Sequence, residues 1–188
     1  MTAKLFTPVE LGGVTLPNRI VVSPMCQYSA VDGSAQPWHM VHYGSLAMSG
    51  AGLLCFEATH VEREGRITQG CLGLYSDENE ETLKPVVEWA RAWMPTVKLG
   101  IQLGHAGRKA SAQRPWKGGG PLTQADAPDL PWTTFSASAL PYDPAAKWHT
   151  PVALDAAGLR KVKQAFVEAT LRSLRLGFDL IELHGAHG

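Results

Sequence analysis

Ile181-Glu182-Leu183-His184-Gly185-Ala186-His187-Gly188 ends the chain and includes the end of a hydrophobic strand. Two imidazoles three residues apart at the mouth of a buried strand suit an anionic or electron-rich ligand, because imidazole donates hydrogen bonds at neutral pH. A finished parallel α/β domain does not close on a strand that no helix follows. We therefore expect this stretch to belong to a larger sheet whose remaining strands are supplied elsewhere.

Hydrophobic runs predict four strands, at residues 19–23, 53–59, 97–103 and 180–184. Helical spacing and end signals predict helices between them, at about residues 39–49, from residue 77, and from residue 155 to residue 177. Asp77 and Glu80 resemble a capping pair for the second helix, and Asp155 is the expected cap of the third. A glycine turn predicts a hairpin over residues 5–16. The proline-rich stretch 113–154 is predicted to be a long irregular excursion of the kind that often forms a lid or binding loop.

The order of these elements implies parallel strands with right-handed crossovers, in either a doubly wound sheet or half of an eight-stranded barrel. No G-x-G-x-x-G follows the first strand, which weakens a dinucleotide-binding Rossmann fold. Polar or unusual residues cluster at the strand ends, where barrel active sites lie: Ser23-Pro24-Met25-Cys26, Ala58-Thr59, Gln102, and His184 with His187. We therefore predict an α/β fold, a (β/α)8 TIM barrel. Residues 1–188 would supply the base hairpin and about the first four strands of this single domain.

Composition excludes several function classes. Seventeen basic residues balance seventeen acidic ones, so no overall field attracts nucleic acid or an anionic membrane. The sequence has no apolar run long enough for a membrane span and no signal peptide at its start. Three cysteines, an odd number without zinc-like pairing, fit a reducing compartment. These features predict a cytoplasmic protein without a nucleic-acid or membrane partner.

Cys26, Tyr28 and Gln102 are candidate binding residues. Cys26 and Tyr28 would present a thiol and a phenol to a pocket at the mouth of the first strand. Taken alone, however, the pair is better explained as a small buried hydrophobic residue beside a packed tyrosine. Gln102 lies near the end of the third strand on the face opposite Ile101. Its carboxamide offers both a donor and an acceptor to the edge of an amide-like heterocycle, or it is a satisfied side chain inside the barrel.

His184 and His187 also invite a metal-site hypothesis, with Glu182 or Cys26 as further ligands. Glu182 and His184 share strand parity and can point the same way. No complete ligand set appears at the spacings that zinc sites use, so H-x-x-H by itself is weak support for a metal. A metal-dependent barrel hydrolase therefore ranks last among the alternatives.

Taken together, several ordered motifs resemble the Old Yellow Enzyme family of flavin-dependent ene-reductases, in particular its branch of xenobiotic and "thermophilic-like" reductases. The resemblance runs from Leu5 to Gly188, and the proline-rich excursion matches least well. The motifs are Leu16-Pro17-Asn18-Arg19-Ile20, Ser23-Pro24-Met25-Cys26-Gln27-Tyr28, Trp38-His39-Met40-Val41-His42-Tyr43, Glu57-Ala58-Thr59 with Glu64-Gly65-Arg66-Ile67-Thr68, Gln102-Leu103-Gly104-His105-Ala106-Gly107-Arg108-Lys109-Ala110, and Gly177-Phe178-Asp179 before the final histidine motif.

This resemblance implies an FMN-dependent ene-reductase that takes hydride from NADPH or NADH and reduces activated alkenes such as enones, enals, maleimides and nitroalkenes by a ping-pong mechanism. His184 and His187 match the pair that binds the substrate's activating oxygen, and Tyr28 matches a second substrate-side donor. Cys26 matches a residue that contacts the flavin and tunes its potential, and Gln102 matches the reader of its pyrimidine edge. Ser23, Pro24, Met25 and Ala58 belong to the implied flavin contacts. No metal is implied.

The resemblance also places a proton-donating tyrosine and the phosphate site beyond Gly188. The implied partners are therefore a small activated alkene and a C-terminal half-barrel, present either as a second chain or as a missing segment. Because family members commonly form dimers or tetramers, a homo-oligomer is implied as well. The competing hypothesis is a non-enzymatic half-barrel that serves as a binding or assembly subunit.

Overall fold

The computed structural model describes residues 3–126 and 131–186. A 3-10 turn precedes a β-hairpin, and the main elements then alternate between strand and helix. In chain order they are β1 (Val9–Leu11), β2 (Val14–Leu16), β3 (Val21–Val22), α1 (Pro37–Ala47), β4 (Leu53–His60), α2 (Asp77–Trp93), β5 (Lys98–Gly104), β6 (Phe135–Ser136), β7 (Val152–Ala153), α3 (Ala156–Leu176) and β8 (Leu180–Leu183).

The central sheet has four strands, and its topology favours a barrel over a doubly wound sheet. Its order is β3-β4-β5-β8, and every neighbouring pair is parallel. The strands therefore follow one another in chain order without the reversal that a doubly wound sheet has at its switch point. The three helices contribute to one hydrophobic core together with the same face of the sheet. A sequentially wound parallel sheet covered by helices on one side is the arrangement of a (β/α)8 barrel wall.

The core between sheet and helices is centred on an aromatic stack. The ring of Phe56 in β4 lies parallel to that of Tyr43 in α1, with 3.8 Å between centroids, and meets Phe178 edge-on at 5.1 Å. The predicted alternation along the third strand is confirmed, because its outward residues all join this core. These residues are Val97, Leu99, Ile101 and Leu103.

The opposite face of the sheet is here called the inner face. Toward the amino ends of the strands, it carries a glycine, Gly100 on β5. A Cβ added to Gly100 would lie 3.4 Å from Leu180 and 3.5 Å from Cys55 and Leu53, so these side chains fill the space that the glycine leaves. Ala58 on β4 pairs with Gln102 on β5, which places both residues one layer higher on the same face. The inner face therefore becomes polar toward the carboxyl ends of the strands.

The ends of α3 agree with prediction, whereas α1 lies two residues earlier than predicted and the cap of α2 is a different residue. Asp155 caps α3 by accepting a hydrogen bond from the Gly158 N–H at 2.7 Å, and Gly177 ends this helix in the left-handed conformation that suits glycine. The predicted capping pair of Asp77 and Glu80 is wrong, because Ser76 is the cap and accepts from the Asn79 N–H. Asp77 instead lies in the first turn, where a carboxylate interacts favourably with the helix dipole.

The hairpin prediction is confirmed by the antiparallel pairing of β1 with β2, whereas the predicted excursion is not wholly irregular. Within residues 113–154, β6 and β7 form a short parallel pair. Arg108 reaches this pair by donating hydrogen bonds to the hydroxyls of Ser136 and Ser138. Two-residue strands have no detectable periodicity, so neither strand could be predicted from the sequence. No helix within the described ranges is long and apolar enough to cross a membrane.

Truncation of Phe56 tests the central role of the aromatic stack. Because Phe56 is fully buried between two rings, we expect Phe56→Ala to lower the free energy of unfolding by about 3–5 kcal/mol. Urea denaturation followed by circular dichroism measures this change. Trp93→Ala is the matched control, since Trp93 is 69% exposed, and it should change stability by no more than about 0.5 kcal/mol. Equal effects of the two substitutions would contradict the central role of the aromatic stack.

Candidate active site

The structure brings most of the predicted site residues to one edge of the sheet, here called the carboxyl edge and defined by Cys26, Ala58, Gln102 and His184. Ala58 and Gln102 are paired across β4 and β5. The backbone N–H of His184 donates to the Leu103 carbonyl at 2.8 Å, which fixes the histidine beside the end of β5. His187 lies outside the described residues, so its predicted role remains a prediction.

Gln102 is oriented by a neighbour on β8. Its Nε2 donates to Glu182 Oε1 at 2.7 Å, and the two residues are register partners. Gln102 is only 8% exposed, so this bond holds the carboxamide plane on the inner face. The carboxamide has a second N–H and a carbonyl oxygen. Together they match a heterocycle edge that presents one acceptor and one donor.

Glu57 organises the connection after β3, and the sequence alone did not predict a role for it. The carboxylate is fully buried and accepts hydrogen bonds from the Tyr43 hydroxyl at 3.0 Å and the Gln27 backbone N–H at 2.9 Å. His39 Nε2 lies 3.5 Å from the same carboxylate. A lone acid in an otherwise apolar buried strand was the signal that could have revealed this anchor, because a buried carboxylate requires partners.

Cys26 follows β3 and lies beside Ala58 and Glu57 toward the carboxyl end of β4. Burial is the largest cause that raises its pKa to about 12, with nearby Cys71 and Glu57 adding to the effect and a backbone hydrogen bond from Ala58 opposing it. The side chain is therefore a neutral thiol at physiological pH rather than a reactive thiolate. The adjacent Met25 is 48% exposed, and its carbonyl accepts from the Gln27 side chain at 2.8 Å.

Tyr28 adopts an uncommon backbone conformation, with φ at 53°. Its ring meets Trp116 edge-on at a centroid distance of 5.6 Å. Burial, followed by the effect of Cys26, raises the pKa of Tyr28 to about 12, so the phenol keeps its proton and can donate a hydrogen bond. Tyr28 lines a pocket of about 220 Å³ together with Ile67, Lys109 and Trp148. The excursion thus contributes one wall of a pocket beside the carboxyl edge.

The metal-site hypothesis gains no support from the described residues. Within residues 3–126 and 131–186, no group of three or more His, Cys, Asp or Glu side chains could hold a metal ion. Glu182, a suggested ligand, is instead bonded to Gln102. All three cysteines are free thiols.

Sequential parallel strands covered by helices on one side define the class of fold, a (β/α)8 barrel, and comparison with known proteins gives the family. Residues 4–188 match the NADH:flavin oxidoreductase / NADH oxidase family. The chain is 42% identical to the NADPH dehydrogenase of Bacillus pumilus (strain SAFR-032) over 190 residues, which cover 100% of this chain and 50% of that protein. The chain therefore belongs to the NADH:flavin oxidoreductase / NADH oxidase family, whose members use FMN.

Solved structures agree on the fold. Morphinone reductase is 28% identical, with a TM-score of 0.77 over 97% of this chain and 48% of that one. The Old Yellow Enzyme from Pichia sp. AKU4542 shares the fold at a TM-score of 0.78, with 24% identity over 98% of this chain and 46% of that one. The predicted resemblance to the Old Yellow Enzyme family and the barrel fold are thus confirmed. The chain spans about half the length of the relatives it matches.

Removal of the Glu57 carboxylate tests its role as the anchor of the loop that carries Cys26. Glu57→Ala leaves the Gln27 N–H and the Tyr43 hydroxyl without their acceptor, at a cost of about 1–3 kcal/mol for each buried donor. We expect a lower free energy of unfolding and faster hydrogen exchange at Gln27, measured by NMR. Glu10→Ala on the exposed hairpin is the control. Unchanged protection of the Gln27 amide would show that the loop has another anchor.

The state of Cys26 predicts how its alkylation depends on pH. Because its pKa is raised to about 12, only about one thiol in ten thousand is ionised at pH 8, and this fraction grows about tenfold per pH unit. We expect iodoacetamide to label Cys26 slowly at pH 8 and steadily faster at higher pH, as measured by peptide mass spectrometry. The same protein in denaturant should be labelled rapidly at pH 8. Rapid labelling of the folded protein would contradict the raised pKa.

Proposed function

We propose that this chain forms the N-terminal half of an FMN-dependent ene-reductase that reduces activated C=C bonds with NADPH or NADH by a ping-pong mechanism. Enones, enals, maleimides and nitroalkenes are the proposed substrates. The observation that carries the proposal is the meeting of Cys26, Ala58, Gln102 and His184 at one edge of the sheet, in a chain of this flavin oxidoreductase family.

The carboxyl edge fits an isoalloxazine ring. Gln102 is held by Glu182 with one N–H and one carbonyl oxygen remaining, which suits the alternating donors and acceptors of the pyrimidine edge. Ala58 contributes little side-chain volume beside it. We propose that Ser23, Pro24 and Met25 add backbone and packing contacts at the end of β3. When bound, FMN supplies the chemistry of hydride acceptance from the nicotinamide and hydride delivery to the alkene β-carbon.

Cys26 would tune the flavin without carrying charge. Since burial keeps it a neutral thiol, it can donate a weak S–H hydrogen bond and places no negative charge against the ring. A thiolate at the same position would disfavour the electron-rich reduced state. The neutral state of Cys26 thus results from the surrounding packing rather than from the cysteine alone.

His184 would stabilise the negative charge that develops on the activating oxygen of the substrate. Its backbone is fixed to β5, and an N–H donor held in place is most effective where charge appears during the reaction. We propose that His187, three residues further on, is the second donor of this pair. Tyr28 retains its proton and can donate to the substrate from the opposite side of the mouth.

The site requires further strands, which we propose come from a C-terminal half-barrel, either as continuing chain or as a second polypeptide. The chain spans about half the length of its relatives. In the described part of the chain, β3 and β8 each pair with only one neighbouring strand of the central sheet. We further propose a homo-oligomer located in the cytoplasm, where the free thiols Cys26, Cys55 and Cys71 would remain reduced.

The test uses the completed barrel. We expect the purified protein to carry FMN, visible in its absorption spectrum, and to oxidise NADPH or NADH when cyclohexenone is added. His184→Ala should lower kcat/KM by about 100–1,000-fold, while FMN content is retained. His42→Gln in α1 is the matched control and should leave kcat/KM unchanged. A completed barrel that binds no flavin would favour the non-enzymatic assembly subunit and overturn the proposal.

A further inference from the structure

His60 is a buried histidine at the carboxyl end of β4 to which the proposed mechanism gives no role. His60 is only 2% exposed, and its Nδ1 lies 3.0 Å from the Leu72 carbonyl oxygen. The same oxygen accepts the backbone N–H of His60 at 2.9 Å. Because a carbonyl oxygen can only accept, Nδ1 must carry the proton and Nε2 the lone pair. The Nε2 atom of the ring can therefore accept a hydrogen bond but not donate one.

The buried position also keeps this histidine uncharged. Burial is the main cause that lowers the pKa of His60 to about 4; the hydrogen bond to Leu72 opposes this shift, and the charges of His105, Arg66 and His184 add to it. A histidine with a lowered pKa is neutral at all pH values well above that pKa. Around neutral pH, Nε2 is consequently a hydrogen-bond acceptor.

Gly104 on the neighbouring strand lies next to both His60 and His184. His60 on β4 pairs with Gly104 on β5, and His184 follows β8 on the other side of β5. A Cβ added to Gly104 would lie 3.4 Å from the Cβ of His184 and 3.7 Å from its Cδ2, so the imidazole of His184 lies over the glycine. An added Cβ at position 104 would therefore touch His184 at ordinary van der Waals distance.

The two histidines line the same crevice, together with Gly104, His105 and Lys109. Its volume of about 20 Å³ is enough for one water molecule and too small for an organic ligand. The crevice is therefore a place for a short hydrogen-bonded connection between side chains.

We propose that His60 is a positioning residue for His184: its Nε2 accepts a hydrogen bond from the His184 ring, directly or through one water, and so favours a doubly protonated His184 when a negatively charged oxygen binds. This inference rests on the proposed function, since the bound oxygen is the activating oxygen of the substrate. A neutral His184 that donates to His60 would have only a lone pair on its other nitrogen, whereas the imidazolium donates from both. A charge-assisted donor is also the stronger one.

The other charged groups around the crevice affect the protonation of His184. Lys109 lines the crevice and lies 5.9 Å from the ring centre of Tyr142, and Arg66 lowers the pKa of His60 through its charge. His105 accepts from the Gly107 N–H through Nδ1 and faces Glu62 with Nε2 at 3.3 Å. The nearby cations disfavour a further positive charge on His184. A hydrogen bond to His60 offsets part of this repulsion.

Two substitutions separate a positioning role from a structural one. In His60→Asn the short amide can keep the hydrogen bond to Leu72 but does not reach the crevice, whereas in His60→Gln the longer side chain can present its carbonyl oxygen near the position of Nε2. The readouts in the complete FMN-bound protein are the titration of His184, followed by NMR of labelled histidines, and the affinity for 4-nitrophenol as a function of pH. The phenolate oxygen of this probe imitates the developing charge.

We expect His60→Asn to lower the titration midpoint of His184 by about one pH unit, and nitrophenolate to bind about tenfold more weakly above that midpoint. His60→Gln should restore most of both properties, and His42→Gln should change neither. An unchanged His184 midpoint in His60→Asn, or equal effects of Asn and Gln, would overturn the proposal.

A measurement on the unsubstituted protein covers the case in which the variants do not fold. Nitrogen-15 spectra should find His60 protonated at Nδ1 and unprotonated at Nε2 from about pH 5 to about pH 9, and its Nε2 signal should move as His184 titrates. A proton on Nε2 of His60 would refute the inference. If the histidines are coupled but cyclohexenone is not reduced, the proposed function fails while the His60–His184 connection stands.

Discussion

The buried carboxylate of Glu57 is the constraint on which the site depends. Phe56 pairs with Ile101, and the next register pair is Ala58 with Gln102, so Glu57 is an extra residue in β4. A bulge of this kind reverses the facing of all later residues in a strand. Glu57 points to Tyr43 in α1, and Ala58 and His60 consequently share the inner face with Gln102 and Gly104. The buried carboxylate accepts hydrogen bonds from two parts of the fold, the Tyr43 hydroxyl in α1 and the Gln27 backbone N–H in the loop after β3.

The same bulge links the two halves of the carboxyl edge. One carboxylate oxygen holds the loop after β3, which carries Cys26 and Tyr28, through the backbone of Gln27. Beyond the bulge, β4 continues to His60, whose ring faces the crevice beside His184. The positions of both the loop that carries Cys26 and the crevice beside His184 thus depend on the bulge at Glu57. Burial then sets the proton states, since it keeps Cys26, Tyr28 and His60 uncharged at neutral pH.

Much of the fold was predictable because its signals are local. The hydrophobic runs, the Asp155 cap and the glycine after α3 depend only on residues close in sequence, and the structure confirms them. The predicted cap at Asp77 was wrong because Ser76 and Asp77 are both good capping residues, and only the backbone geometry distinguishes them. The β6–β7 pair was missed because two strands of two residues form only when Arg108 and the rest of the excursion bring them together.

The sequence by itself determined the order of strands and helices, the family, and the residue types at the strand ends. Periodicity and motifs can be recognised from the order of residues alone. The sequence could not determine which side chains share a face of β4 after Glu57, since a bulge appears only when two strands are paired. Nor could it determine the partner of Gln102 or the acceptor end of His60. Those depend on contacts to Glu182 and Leu72, residues 80 and 12 positions away, which only tertiary packing brings within hydrogen-bonding distance.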